Sequence, residues 1–376
     1  MSIAAFGFAT GGTLRFGRGT LAEAVPFARA QARRILLLRS RSVAAADELL
    51  NSLRQGGDVL DLQAGGEPDL PGVEANVAIA RDFRPDLIIA IGGGAVIDHG
   101  KALAALISAP HSAMRYLEVV GEGQLLDNAP LPLVAIPTTA GTGAEVTRNA
   151  VIQVPEARRK VSLRDPRLYP ALALVDPDLC LSCPKSVTLA SGLDAITQVI
   201  EPFICSRANP MTDALCRDAI PRGLSALRRL LDKDDAQAWD DMALTSVFGG
   251  IALANAGLGA VHGFAGVIGG QTGAAHGVIC GTLLVPVLRA NTKAAPEGSI
   301  AQQRISWVIE QIVREFGHLR DFQNWIRGHG LPTIGGLGVR AEMHANIARD
   351  AVQSSSYRAN PVDLREEMLL QILAES

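Results

Sequence analysis

Three consecutive glycines, Gly92-Gly93-Gly94, follow the apolar run Leu87–Ile91 and open a helical pattern that continues through Asp98 and Lys101. Glycines at a strand-to-helix turn let the backbone come close to a phosphate while the first amides of the helix point at it. The loop is not G-x-G-x-x-G, and it lacks the GK[ST] ending of an ATP-binding loop. A second polar loop, Pro137 to Thr147, follows the apolar run Leu133–Ile136 and holds Thr138, Thr139, Thr142, Thr147, Gly141 and Gly143. Hydroxyls and unpaired amides at the carboxyl end of a buried strand suit a pyrophosphate or a ribose.

A third set lies far downstream. Asp194 and Gln198 are four residues apart and share one helix face. His262 and His276 are each followed by glycine, Gly263 and Gly277, where a backbone can bend around an ion. One carboxylate and two imidazoles suit a borderline divalent cation such as iron or zinc. Each histidine alone reads more readily as structural; the set is what points to a cation.

The elements that must carry these residues change character along the chain. Arg34–Leu38, Val59–Leu62, Leu87–Ile91 and Leu133–Ile136 read as short buried strands, with Val151–Val154 and Ala171–Val175 as further strand-like pieces. Between them lie the helical patterns Leu21–Ala30, Val43–Leu53, Val73–Phe83 and Ala95–Ile107. That alternation predicts β-α-β units and a parallel sheet. After Pro184 only helical spacing remains, over 185–205, 209–231, 237–256, 278–291, 299–316 and 341–353. The breakers between these segments are Asn209-Pro210, Gly257-Leu258-Gly259, Gly269-Gly270 and Gly335-Gly336. The expected fold is an α/β domain over 1–183 and an all-helical domain over 184–376.

Composition narrows the class. With 376 residues and 48% hydrophobic content the chain can build a sizeable core, mostly aliphatic because aromatics are 4%. A net charge of −3 gives no electrostatic reason to expect nucleic acid or an anionic membrane as partner. No apolar run is long enough to span a bilayer, and the first twenty residues lack the pattern of a signal peptide. Five scattered cysteines argue for a reducing, cytoplasmic setting, with Cys180 and Cys183 read as two ordinary thiols.

The motifs GGGAVIDHGKA, PTTAGTGAEVT, DPDL (Asp176–Leu179), SGLDA-x-x-x-x-IE and VHG…HG, in this order, resemble the iron-containing, or group III, alcohol dehydrogenase family over nearly the whole chain. The resemblance implies a dinucleotide-binding domain, a helical metal-binding domain of the dehydroquinate-synthase-like fold, and a site in the cleft between them. It implies that Gly93, Gly94 and Ala95 bind the cofactor diphosphate, that Thr138, Thr139 and Thr142 contact the cofactor, and that Lys160 lies near it. Lys160 reads equally well as a solvated lysine in the charged run 156–160. Asp194, His262 and His276 match catalytic metal ligands, and a homodimer is expected.

Three departures stand out. The remaining metal-binding histidine is replaced by Gln198, whose neutral carbonyl is a poorer ligand. A histidine thought to assist proton transfer is replaced by Gly266, and His99 reads as a surface residue rather than a substitute. After the second strand, Arg39-Ser40-Arg41 offers no carboxylate to a 2′-phosphate and two arginines to pair with one, which favours NADP over NAD, with Ser40 and Arg41 as contacts. The implied activity is metal-assisted hydride transfer between NAD(P)H and a small alcohol, aldehyde or ketone. The alternatives are a metal-independent reductase resembling maleylacetate reductases, a dehydroquinate-synthase-like lyase and a non-catalytic nucleotide binder.

Overall fold

The computed structural model describes residues 5–376, which divide into two units. The first comprises Thr10–Thr139 and Gly143–Cys183; the second comprises Pro184–Ser376 with Ala140–Thr142 and the residues up to Ala9.

The α/β unit runs β1 (Thr13–Phe16), α1 (Ala24–Gln31), β2 (Arg34–Ser40), α2 (Ala44–Arg54), β3 (Asp58–Ala64), α3 (Leu70–Phe83), β4 (Leu87–Gly92), α4 (Gly94–Ile107), β5 (Leu133–Pro137), β6 (Asn149–Val154), β7 (Arg159–Arg164) and β8 (Leu172–Val175). Six strands form one parallel sheet in the order β1-β8-β5-β4-β2-β3. Alternate residues feed opposite faces. Leu36, Leu38, Ile88 and Ala90 pack with Val73, Val77 and Leu103 on one side, and Ile35, Leu37, Ile89 and Ile91 with Ala28, Leu49 and Leu53 on the other. Helices on both faces explain why the central strands are apolar throughout. Against Ala90 the helix α4 comes so close that a Cβ on Gly100 would lie 2.7 Å from the Ala90 side chain.

Two strands depart from the sequence expectation. Exposed β1 (TLRF) pairs with β8, and β6 and β7 make an antiparallel hairpin outside the main sheet. Neither TLRF nor RKVSLR is an apolar run; TLRF is marked as a strand by backbone pairing alone, and RKVSLR by pairing and the alternate burial of Val161 and Leu163.

The helical unit runs α5 (Lys185–Ile204), α6 (Pro210–Lys233), α7 (Ala238–Asn255), α8 (Ala260–Thr272), α9 (His276–Ala294), α10 (Ile300–Phe316), α11 (Leu319–Gly328), α12 (His344–Gln353) and α13 (Glu366–Glu375). Asn209 caps α6 by accepting from the amides of Met211 and Thr212. Gly269 and Gly270, expected as breakers, lie inside α8; Gly269 is buried and needs no positive φ, so nothing there stops the helix. Gly273, with φ 72°, ends it instead. α5 packs on α6, α7 and α9 and is buried on all sides from Gly192 to Ile204. Among the described residues no single helix is long and apolar enough to cross a membrane; α7 and α8 meet that test only together, as a pair bent by 97°.

Candidate functional site

The all-round burial of α5 raises a problem that its sequence must solve. Among Leu193, Ala195, Ile196, Val199, Ile200 and Phe203 it carries Asp194, Gln198 and Glu201, each at most 3% exposed. Spacings of four and three place them in one stripe. Burying such groups is costly unless each finds a partner.

Glu201 is satisfied. Its Oε1 accepts from the Val261 amide at 2.7 Å, at the first turn of α8, and its Oε2 lies 2.6 Å from His262 Nδ1. A carboxylate can only accept, so Nδ1 carries the proton and Nε2 points away. Nε2 lies 3.4 Å from Asp194 Oδ1, and His276 Nε2 lies 3.7 Å from the same oxygen. Gln198 Nε2 donates to the other carboxylate oxygen, Oδ2, at 3.0 Å. Asp194 Oδ1, His262 Nε2 and Gln198 Oε1 are buried without a hydrogen-bond partner. With His262 Nε2 unprotonated these are three buried acceptors, a donor set that suits a cation.

The same demand appears in the proton equilibria. Burial opposes charge on His262 and His276, yet Cys280 and Asp194 beside them raise His262 well above its usual range and lift His276 to about 9. Burial also opposes ionisation of Asp194, but the two imidazoles hold its carboxyl below the usual value. Without a metal, protons supply the positive charge; a bound cation displaces them. The donor set therefore fits a divalent ion. The ligand atoms of Asp194, His262, His276 and Cys280 all lie within 4.8 Å of one another.

The glycines beside the two histidines act differently from the expectation. Neither bends the chain: neither takes positive φ, Gly263 lies within α8 and Gly277 in the first turn of α9. A Cβ on Gly263 would lie 2.9 Å from Tyr357, and one on Gly277 would lie 2.3 Å from the Ala190 carbonyl oxygen. Their role is close packing: Gly263 lets α8 meet Tyr357, and Gly277 brings α9 onto α5. Gly266, where a histidine was looked for, faces open space.

Sequence reasoning missed two members of this centre, Glu201 and Cys280. Glu201 was visible as the acid seven residues after Asp194, two helical turns along the same face. Cys280 stands four residues after His276, the spacing that had already been noticed between Asp194 and Gln198.

In the α/β unit, β4 ends at Gly92 and α4 starts at Gly94, with Gly93 as its N-cap and no side chain capping it. No glycine of this turn takes a positive φ. Gly92 is required for space, since a Cβ there would lie 2.6 Å from Val96. Uncapped first-turn amides, including that of Ala95, are the feature that receives an anion. Thr138 is buried beside Gly92, its amide donating to the Gly92 carbonyl at 2.9 Å, and Thr139 borders Gly93. Thr142 groups with the helical unit.

Three neighbouring expectations are corrected. His99 is buried, not a surface residue. Asn76 Nδ2 donates to its Nε2 at 3.2 Å, and burial pulls its pKa down to about 4, so it is neutral. Arg39 is not free to meet a phosphate, because it makes a two-pronged pair with Asp61 (2.7 and 2.9 Å) and a contact to Asp47 (2.8 Å). Arg41 stays exposed, and Ser40 lies 3.1 Å from Ser42, hydroxyl to hydroxyl. Lys160 is not solvated; its side chain is 6% exposed and ion-paired with Glu67.

Comparison with known proteins agrees with this architecture. Residues 12–177 match the family model for iron-containing alcohol dehydrogenase, and residues 188–376 match the C-terminal model of the same family. The chain is 33% identical over 363 residues to long-chain-alcohol dehydrogenase 1 of Geobacillus thermodenitrificans, covering 93% of this chain and 91% of that one. It is 36% identical over 263 residues to 1,3-propanediol dehydrogenase of Klebsiella pneumoniae, covering 69% and 67%. The solved structure of an alcohol dehydrogenase from Oenococcus oeni superposes with a TM-score of 0.87 at 27% identity, over 99% of this chain and 100% of that one. The shared fold and two matched family models, reaching almost end to end, place this chain in the iron-containing alcohol dehydrogenase family, as an oxidoreductase.

Proposed function

We propose that the protein transfers a hydride reversibly between the nicotinamide of NAD(P)H and the carbonyl carbon of a small aldehyde or ketone, with a divalent metal held by Asp194, His262 and His276. The observation that carries this reading is the buried, unpartnered pair Asp194 Oδ1 and His262 Nε2, 3.4 Å apart, with His276 Nε2 3.7 Å from the same oxygen. A cation bound there supplies Lewis acidity to the substrate oxygen. Asp194 contributes the anionic charge, Gln198 holds its second oxygen, and Glu201 fixes the His262 tautomer so that Nε2 faces inward. In the oxidative direction the alcohol gives a hydride to nicotinamide C4 and a proton to water, since Gly266 offers no imidazole to take it.

The amides of Gly93, Gly94 and Ala95 and the threonines Thr138 and Thr139 hold the cofactor diphosphate in this reading, with Lys160 kept against Glu67 nearby. Arg41 and Ser40 are what remains to meet a 2′-phosphate once Arg39 is engaged. Preference for NADPH over NADH is therefore expected to be small. The test is metal content and turnover of an aldehyde panel before and after chelation, in the native protein and in His276→Ala. Turnover that survives both treatments overturns the metal-assisted mechanism.

A further inference from the structure

We propose that Cys280 is the fourth protein ligand of this centre, taking over the place that Gln198 leaves unfilled, and that the ion so selected is zinc rather than iron. The inference rests on the metal-centre reading above and adds to it one ligand and a metal preference.

The two helices carry matching pairs. α5 presents Asp194 and Gln198, and α9 presents His276 and Cys280, each pair at the four-residue spacing that shares a face. Gly277 and Gly281 draw the helices together: a Cβ on Gly281 would lie 2.5 Å from Leu193, as one on Gly277 would strike Ala190. Cys280 is fully buried, and its Sγ lies 3.7 Å from His276 Nε2, inside the cluster with Asp194 and His262. Tetrahedral zinc, with bonds of about 2.0–2.1 Å to nitrogen or oxygen and about 2.3 Å to sulfur, sets its ligands about 3.3–3.6 Å apart. The separations of 3.4, 3.7 and 3.7 Å along His262–Asp194, His276–Asp194 and Cys280–His276 lie close to that, and the whole set, spread within 4.8 Å, draws in around the ion.

Gln198 stands differently. Its amide nitrogen donates to Asp194 Oδ2 and orients the carboxylate, while its buried, unpaired Oε1 is a neutral donor, weaker towards a dication than the Cys280 thiolate. Cys280 is not a lone thiol in an apolar core, because the unpaired, buried Asp194 Oδ1 and His262 Nε2 sit in the same cluster. One thiolate and one carboxylate together balance a dication in a place shielded from water. Thiolate is a soft donor, and replacing an imidazole by it moves the set towards zinc. The His276 side chain keeps 33% of its surface exposed, which leaves one side from which a substrate oxygen would join as a fifth ligand.

Cobalt(II) reports sulfur ligation through a thiolate-to-metal charge-transfer band in the near ultraviolet, independent of activity. Titrating metal-free protein with cobalt should give one ion per chain and that band, in the native chain and in Gln198→Ala. In Cys280→Ser the band should vanish. Zinc affinity there should fall by about tenfold or more, the loss that even an outer partner of a ligand can cost. Equal offers of zinc and iron(II) to the native apoprotein should load zinc, and the zinc-to-iron ratio should fall in Cys280→Ser, because only that drop reports the thiolate. One bound cobalt per native chain without the band overturns ligation by Cys280 and leaves Asp194, His262 and His276 standing. Equal or preferential loading of iron overturns the zinc assignment. No stoichiometric cobalt in the native chain overturns the metal centre itself. The native spectrum decides the ligation even if Cys280→Ser does not fold.

Discussion

The carboxyl end of β4 and the face of α5 towards α9 are both buried ends of the design, yet they are built from opposite materials. The turn at Gly92-Gly93-Gly94 is backbone. Its space is set by Val96 and Thr139, and the charge nearby is already balanced, with Arg39 held by Asp61 and Asp47. The centre on α5 is made of side chains from three helices and holds buried acceptors without hydrogen-bond partners. A site of amides can be written into a dozen consecutive residues. A site of side chains spans positions 194 to 280 and exists only once the helices are packed.

The largest effect should separate the two regions. His276→Ala removes one ligand and leaves Asp194 and His262 facing each other; metal content and turnover should drop by about a thousandfold or more, on the scale of several kcal/mol lost in the transition state. Cofactor affinity, read by quenching or enhancement of nicotinamide fluorescence, should stay within a factor of two or so of the native value if the regions are independent. Joint loss of metal and cofactor binding would break the comparison.

Acid should strike the α/β unit through His99. Its pKa falls from 6.5 to about 4 on folding. Between those values the unfolded chain binds the proton and the folded chain does not, so stability falls as the pH drops from 6.5 towards 4, by about 3 kcal/mol at most. His99→Gln keeps a hydrogen-bond acceptor for Asn76 and removes the titration. Its denaturant midpoint should change less between pH 6.5 and 4 than that of the native protein. Equal slopes would mean that the burial of His99 is not what makes the unit acid-sensitive.

Glu201→Gln sharpens the other side. The amide can no longer hold the His262 tautomer as a carboxylate does, and metal affinity should fall by about 10–100-fold with the fold intact. Unchanged affinity, measured by competition with a chelator, would show that His262 is oriented by packing alone. The smallest change is expected from Arg41→Ala. It should lower kcat/KM with NADPH by about tenfold, the worth of one charged contact, and leave NADH turnover alone. Equal losses with both cofactors would remove Arg41 from any role in choosing between them.

Much of this contrast was legible before any coordinates. Ile35–Leu38 and Leu87–Ile91 read as strands because both faces of the sheet are covered and the run is apolar throughout. Asp194, His262 and His276 stood out through residue type and the motifs around them. What stayed hidden was pairing across distance. Arg39 looked available because Asp61 lies on the next strand, reached only by the register of β2 and β3. His99 looked superficial because Asn76, its partner, comes from α3. Helices α8, α11 and α13 escaped the periodicity reading. In α8 the glycines weakened the signal, yet Gly263 serves packing against Tyr357 rather than a break. Cys280 was counted among scattered thiols because Asp194 and His262, which make it part of a cluster, come from α5 and α8.

The polar stripe on α5 bears on more than catalysis. Asp194, Gln198 and Glu201 lie on the central helix of their unit, so the packing of that unit depends on the counter-charge they receive, from protonated imidazoles or from a bound cation. A ligand that binds only the folded state raises its stability in proportion to the logarithm of its concentration. On the proposed metal-centre reading, the lifetime of the protein in a cell, and not only its rate of turnover, is tied to metal supply. In scarcity the helical unit unfolds more often, and idle chains are the ones exposed to degradation.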